Sequence, residues 1–394
     1  GKTKVNSTKI AWLIEQKLAQ PEEILALTFT DKAAGEMEER VDQILPYGVF
    51  ERWISTFHSF CDKILQNHSL EIGLNPEYRL IGETESWLLI RQNLYSFKLD
   101  YYRPKGSPTK FISALIKLFS RLKDENITPE EYLAYAEGLY ANQDAAMADE
   151  VIVLETKKIK ETAEAYFQYQ QILLDKNFFD FGDLIFYTNK LFVQRPNILQ
   201  KYQKQFKFIL VDEFQDTNFA QYHLIKLLAG KQDAPLAAPL SRELPKLTVV
   251  GDDDQAIYKF RGASITNILN FKNDFPNSKE VVLTKNYRST QSILDTAYAF
   301  IQHNNPDRLE YQLNHPDEYY KNLLNLPRPL LRKEGGMVEK IDKKLISQTT
   351  DQGSAIVTSY QTEEEEVRGV IEKMKELEKN GAHYSDCVIL MRAN

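Results

Sequence analysis

The stretch FILVDEFQDT, residues 208–217, sets four apolar residues directly in front of Asp212 and Glu213. A buried carboxylate is costly unless it is paired or holds a metal. An apolar strand ending in Asp-Glu suits a site for Mg²⁺ and a nucleoside triphosphate. Asp212 would hold the cation, and Glu213 would orient and deprotonate an attacking water. The plainer alternative is a strand that ends in a solvated acidic turn. The chain begins GKT and runs straight into a helical pattern. Gly1 and the first N–H groups of that helix would hold an anion. Lys2 would reach the β- and γ-phosphates, and the Thr3 hydroxyl would bind Mg²⁺. Taken alone, the triplet fits a surface lysine equally well. In VVGDDDQAIYKFRGA, 249–263, Gln255 follows another apolar strand and could sense a γ-phosphate. Tyr258, Phe260 and Arg261 offer an aromatic–basic platform on which bases stack. The same rings fit burial at a helix–strand junction. In LTKNYRST, 283–290, Arg288 stands past a strand, where a guanidinium can act on a transferring phosphoryl group. A lone arginine is more often a surface residue.

These residues need rigid strands and helices behind them. Ile10, Leu13, Ile14 and Leu18 recur at helical spacing over residues 4–19. EILALTFT (23–30) is a strand pattern, and DKAAGEMEERV reads as a helix entered through Asp31 as N-cap. WISTFHSF (53–60) passes from strand to helix. This alternation predicts a parallel α/β sheet. From 76 to 175 the patterns are amphipathic helices, which reads as a helical insert. Alternation then resumes through FKFILVDE, a helix from about 218 to 229, and LTVVGDDDQ. The Pro-containing stretch 230–246 reads as a surface loop. After VVLTKNYRST the pattern is helical to about 304. GSAIVTSY and DCVILMR read as strands around a helix with Thr362 and Glu365 at capping-box spacing and a glycine stop. The expected domains are 1–75 with 176–283, the insert 76–175, and the beginning of a second α/β domain, 284–394.

Composition bounds the rest. The chain has 394 residues, 43% of them hydrophobic and 27% charged, as in ordinary globular proteins. No apolar run is long enough to span a membrane, and no secretory leader pattern appears. Cys61 and Cys387 do not suggest a disulfide framework, so a reducing, cytoplasmic setting is expected. The six histidines lack zinc-type spacing. A net charge of −7 disfavours general coating of nucleic acid but leaves room for a local basic groove. Both ends of the chain read as cut.

In order along the chain, GKT, LALTFTDKAAGEMEERV, STFHSF, FDFGDLI, LVDEFQDTN, VVGDDDQAIYKFRGA and LTKNYRST resemble the successive motifs of superfamily 1 DNA helicases of the UvrD/Rep/PcrA type. The resemblance runs across essentially the whole chain, to YSDCVILMRAN. It implies a RecA-like P-loop NTPase sheet with an α-helical insert and part of a second RecA-like domain. ATP with Mg²⁺ would lie between the two motor domains, and 3′→5′ movement along single-stranded DNA and at single/double-strand junctions would follow, alongside repair or replication proteins. By position, Lys2 and Thr3 serve the phosphates and Mg²⁺, Asp212 the metal, Glu213 the water, Gln255 the γ-phosphate, and Arg288 the first arginine finger. Thr30, Phe57, His58, Tyr258 and Phe260 lie in DNA-facing motifs. Phe260 stands where Trp is usual. Asp31 stands where Asn is common, and its carboxylate would repel a phosphate backbone. With motifs expected beyond both ends, the 394 residues alone are expected to be poor in ATPase activity. A non-catalytic DNA-binding relative, or the helicase half of an AddA- or RecB-type helicase–nuclease, are the alternatives.

Overall fold

The computed structural model describes residues 2–44, 53–141, 150–230, 244–255, 265–305, 308–315, 342–350 and 353–391. The chain divides into two compact units, one formed by Gly1–Val281 with Pro306–Ile341 and the other by Val282–Asn305 with Asp342–Asn394.

In the first unit the elements follow as α1 (Lys2–Glu15), β1 (Ile24–Thr28), α2 (Asp31–Ile44), β2 (Trp53–Thr56), α3 (Phe57–His68), β3 (Arg79–Leu80) and α4 (Glu83–Gln92). Next come α5 (Ile112–Asp124), α6 (Pro129–Ala141), α7 (Glu150–Asp175), β4 (Phe178–Phe179), α8 (Phe181–Gln194) and α9 (Pro196–Gln205). The series closes with β5 (Phe208–Val211), α10 (Phe219–Leu228), β6 (Lys246–Val249) and α11 (Ile265–Asp274). The main sheet has the order β2-β1-β5-β6, and every neighbouring pair is parallel. Ile24 to Thr28 are buried throughout, because a parallel strand is covered on both faces. One face carries α1 and α2, with Ile10, Leu13, Met37 and Val41 packed on Ile24, Ala26, Ile54 and Leu210. The other carries α3, α8 and α9 on Leu25, Leu27, Ile209 and Val211.

A separate apolar core lies among α4, α5 and α7, built around Phe119, Tyr166, Tyr169 and Leu173. The short strands β3 and β4 pair in parallel where the chain enters and leaves this helical region.

The second unit holds β7 (Lys285–Asn286), α12 (Gln291–Ile301), β8 (Ile346–Ser347) and a long helix over Glu363–Lys379. Its helix start follows the sequence pattern, with Thr362 Oγ1 accepting the Glu365 N–H at 3.2 Å, and Gly381 takes φ +94 just past the end. The strands expected at GSAIVTSY and DCVILMR do not form among the described residues. Val357 and Leu390 there are 97% and 87% exposed, and no described neighbour offers a ladder. An apolar run becomes a strand only when a partner satisfies its backbone. A short helix, α13 (Leu309–Asn314), comes between α12 and β8 in sequence and belongs to the first unit.

Candidate nucleotide and nucleic-acid site

Because the sheet is parallel, the segments after β1, β2, β5 and β6 all leave it at one edge, the carboxyl edge where α/β sheets bind ligands. Thr30, Phe57 with His58, Asp212 with Glu213, and Gln255 follow those four strands in turn. The Asp212 N–H donates to Leu27 O at 2.9 Å, so β5 ends level with β1. Asp212 is 2% exposed and Asp216 9%. Glu213 is only half-buried, and it takes the left-handed conformation at φ 47, uncommon for a residue with a Cβ. Such strain gathers where a side chain must be aimed.

Gln215 ties this turn to the one after β6. Its Nε2 donates to Glu213 Oε2 at 2.7 Å, and its Oε1 accepts the Asp252 N–H at 2.9 Å. The Phe214 N–H donates to Val250 O at 3.0 Å alongside. Asp252 Oδ2 in turn accepts from Gln255 Nε2 at 2.7 Å. Gln255 itself is exposed. Asn267 on α11 donates to Thr217 O at 2.9 Å and locks the far side of the turn.

Thr30 supplies the cap of α2, in place of the expected Asp31. Thr30 Oγ1 accepts the Ala33 N–H at 3.1 Å, and the helix begins at Asp31 itself. A hydroxyl ahead of the first turn satisfies an orphan N–H. Thr56 caps α3 in the same way, accepting from the Ser59 N–H at 3.2 Å. Phe57 is 2% exposed and belongs to the core, while His58 is half-buried and edge-on to Phe181 at 6.0 Å. Burial holds the His58 imidazole below its usual range, against an opposing pull from Asp31. Arg288 is exposed in the second unit, in a turn whose N–H groups bond Asn286 Oδ1. Gly1, Tyr258, Phe260 and Arg261, and the side chains of Lys2 and Thr3, lie outside the described residues.

Among the described residues no set of three His, Cys, Asp or Glu side chains is arranged to hold a metal alone. The turn after β5 instead offers carboxylate oxygens, hard donors that suit Mg²⁺ sharing its shell with phosphates and water. Among the described residues no helix is long and apolar enough to cross a membrane.

Residues 1–276 match the family model for the UvrD/REP helicase N-terminal domain, and residues 281–394 that for the UvrD-like helicase C-terminal domain. The chain belongs to the UvrD/REP helicase family. It is similar to the ATP-dependent DNA helicase PcrA of Bacillus subtilis, with 40% identity over 77% of this chain and 36% of that protein. It is also similar to the PcrA proteins of Staphylococcus epidermidis and Staphylococcus aureus, at 34% identity over the whole chain and 45% and 44% of theirs. The chain spans less than half the length of these relatives.

Two features of this UvrD/REP chain escaped its motifs. Lys123 on α5 is fully buried, and its Nζ bonds Asp180 Oδ2 at 2.7 Å and Asp183 Oδ1 at 2.8 Å. That joins the helical region to the FDFGDLI segment at the start of α8. Burial works against the Lys123 ammonium, but the charges and hydrogen bonds of Asp180 and Asp183 together hold it above its ordinary range. Burial lifts Asp124 next door to about 7, helped by Glu125 and Asp180. The other feature is Arg308, 4% exposed beside Asp254. Neither pair is visible as a spacing, because the partners lie far apart in sequence.

Proposed function

We propose that this chain is the motor portion of an ATP-dependent DNA helicase that moves 3′→5′ on single-stranded DNA. The observation that carries the reading is the linkage through Gln215. One amide touches both the carboxylate proposed to handle water and the turn proposed to sense the γ-phosphate.

In this reading Gly1, Lys2 and Thr3 cradle the phosphates at the start of α1. Thr3 and Asp212 would hold Mg²⁺, which would supply positive charge against the transferring phosphates. Glu213 accepts the proton of the attacking water. Its fixed left-handed backbone and the Gln215 amide aim the carboxylate, which cuts the reorganisation needed in the reaction. Gln255 reads the γ-phosphate, and Arg288 adds positive charge as the phosphoryl group transfers. Thr30, His58, Tyr258, Phe260 and Arg261 meet DNA. Phe57 supports its neighbours from the core. Repair and replication substrates, and cytoplasmic residence, follow from the same proposal.

Strand displacement by the full-length gene product tests it. Duplexes with a 3′ single-stranded tail should open when ATP and Mg²⁺ are present, and duplexes with only a 5′ tail should not. Unwinding that is indifferent to ATP, or confined to 5′ tails, would overturn the reading.

A further inference from the structure

The turn that carries Gln255 is held from two sides. Gln215 holds it at Asp252. The second hold comes from residues 308–310. Arg308 Nε bonds Asp254 Oδ1 at 2.7 Å and its Nη2 bonds Asp254 Oδ2 at 2.8 Å, a two-pronged grip on one carboxylate. Nη2 also bonds Glu310 Oε2 at 2.7 Å. The next residue adds a backbone contact, with the Leu309 N–H donating to Asp253 Oδ2 at 2.8 Å. Asp253 and Asp254, the two residues directly before Gln255, are therefore both gripped by consecutive residues of one segment. Asp254, with the bonds from the guanidinium first among causes, drives the Arg308 pKa up, so the charge is permanent.

The geometry points to Arg308 as a positioning residue for the nucleotide reaction, one that fixes the turn presenting Gln255. This rests on the function proposed above. A planar fork fixes both the distance and the orientation of a carboxylate, as a lysine ammonium does not. The grip is also buried, with Arg308 4% and Asp254 17% exposed at the side chain, so water does not loosen it. Arg308 comes three residues after Asn305, the last residue of that stretch of the second unit. Arg288 belongs to the same stretch.

Steady-state ATPase of the full-length gene product with single-stranded DNA tests this, using Arg308→Lys, Gln255→Ala and the double variant. Removing Arg308 outright would strand the buried Glu310 and half-buried Asp254 carboxylates, so the charge-conserving change is used, and thermal unfolding checks its fold. Arg308→Lys should lower the DNA-stimulated kcat about tenfold or more, with KM for ATP shifted less than about threefold. The double variant should be no slower than Gln255→Ala, because both changes act through one side chain. Asp254→Asn should reproduce the Arg308→Lys pattern and serves in its place if the lysine variant does not fold. Unchanged kcat in both variants, or losses that multiply with that of Gln255→Ala, would overturn the inference while the function stands. A wild-type protein without DNA-stimulated ATPase would overturn the function, and the inference with it.

Discussion

Gln215 stands between Glu213 and Asp252, donating to the first at 2.7 Å and accepting from the backbone of the second at 2.9 Å. The residue is buried, so neither bond is exchanged cheaply for water. Gln215→Leu should leave the Asp252 N–H unpaired by this route and the Glu213 carboxylate unsteered. The expected loss is about 1–3 kcal/mol of stability in chemical denaturation. The kcat for ATP should fall by about one to two orders of magnitude with KM little changed, since aim rather than binding is lost. A Gln215→Leu protein with wild-type kcat would refute the linkage.

Glu213 adopts a backbone conformation that a glycine takes freely. Glu213→Gly should relieve this strain by about 1 kcal/mol while leaving Gln215 Nε2 without its Glu213 acceptor, so its unfolding midpoint should lie within about 1 kcal/mol of wild type. Glu213→Gln should stay near wild type in stability. A large destabilisation in Glu213→Gly would mean that the turn is held by the side chain and not in spite of it.

Lys123 is the counter-charge to the buried Asp183 and the half-buried Asp180 at once. Lys123→Met leaves them facing each other and should cost about 3–5 kcal/mol in unfolding free energy. Gly182 is part of the same joint. A Cβ there would meet Lys123 Cδ at 3.0 Å and Asp180 Oδ1 at 3.3 Å, so Gly182→Ala should cost about 1–3 kcal/mol. If either variant melts with wild type, the joint does not hold the helical region to α8.

Asp124 gives the pH dependence. Its carboxyl is raised to about 7 in the folded chain, chiefly by burial. Between its unfolded value near 4 and that folded value, the folded state keeps a proton which the unfolded chain releases. This group's contribution to stability therefore falls as pH rises from about 4 to about 7 and stays low above that. Asp124→Asn keeps an oxygen for the Asn218 amide, which now bonds Asp124 Oδ1 at 2.6 Å. The variant should exceed wild type by on the order of 1–2 kcal/mol at pH 8, and the gap should close near pH 4. A gap independent of pH would rule out this carboxyl as its source.

The main sheet was legible because parallel strands favour apolar runs, and ILALT and FILV are such runs, while WIST was read by its place in the strand–helix alternation. The loops that follow them were legible because their polar residues come in motif order. What the sequence hid was pairing at a distance. Lys123 looks like one more basic residue in the last turn of an amphipathic helix until α8 brings Asp180 and Asp183 to it. Arg308 looks like a surface residue until it meets Asp254. Thr30 and Asp31 are both good caps, and only the chain path chose the threonine. The apolar runs near Val357 and Leu390 show the converse, since a strand pattern without a partner stays unpaired and exposed.

DNA-stimulated ATP hydrolysis by the full-length gene product, with Glu213→Gln as its partner measurement, tests the central claim most directly. Single-stranded DNA should raise the wild-type rate, and Glu213→Gln should still bind ATP while hydrolysing it about 10²–10⁴-fold more slowly. A Glu213→Gln protein that turns over ATP at the wild-type rate would place the chemistry elsewhere in the chain.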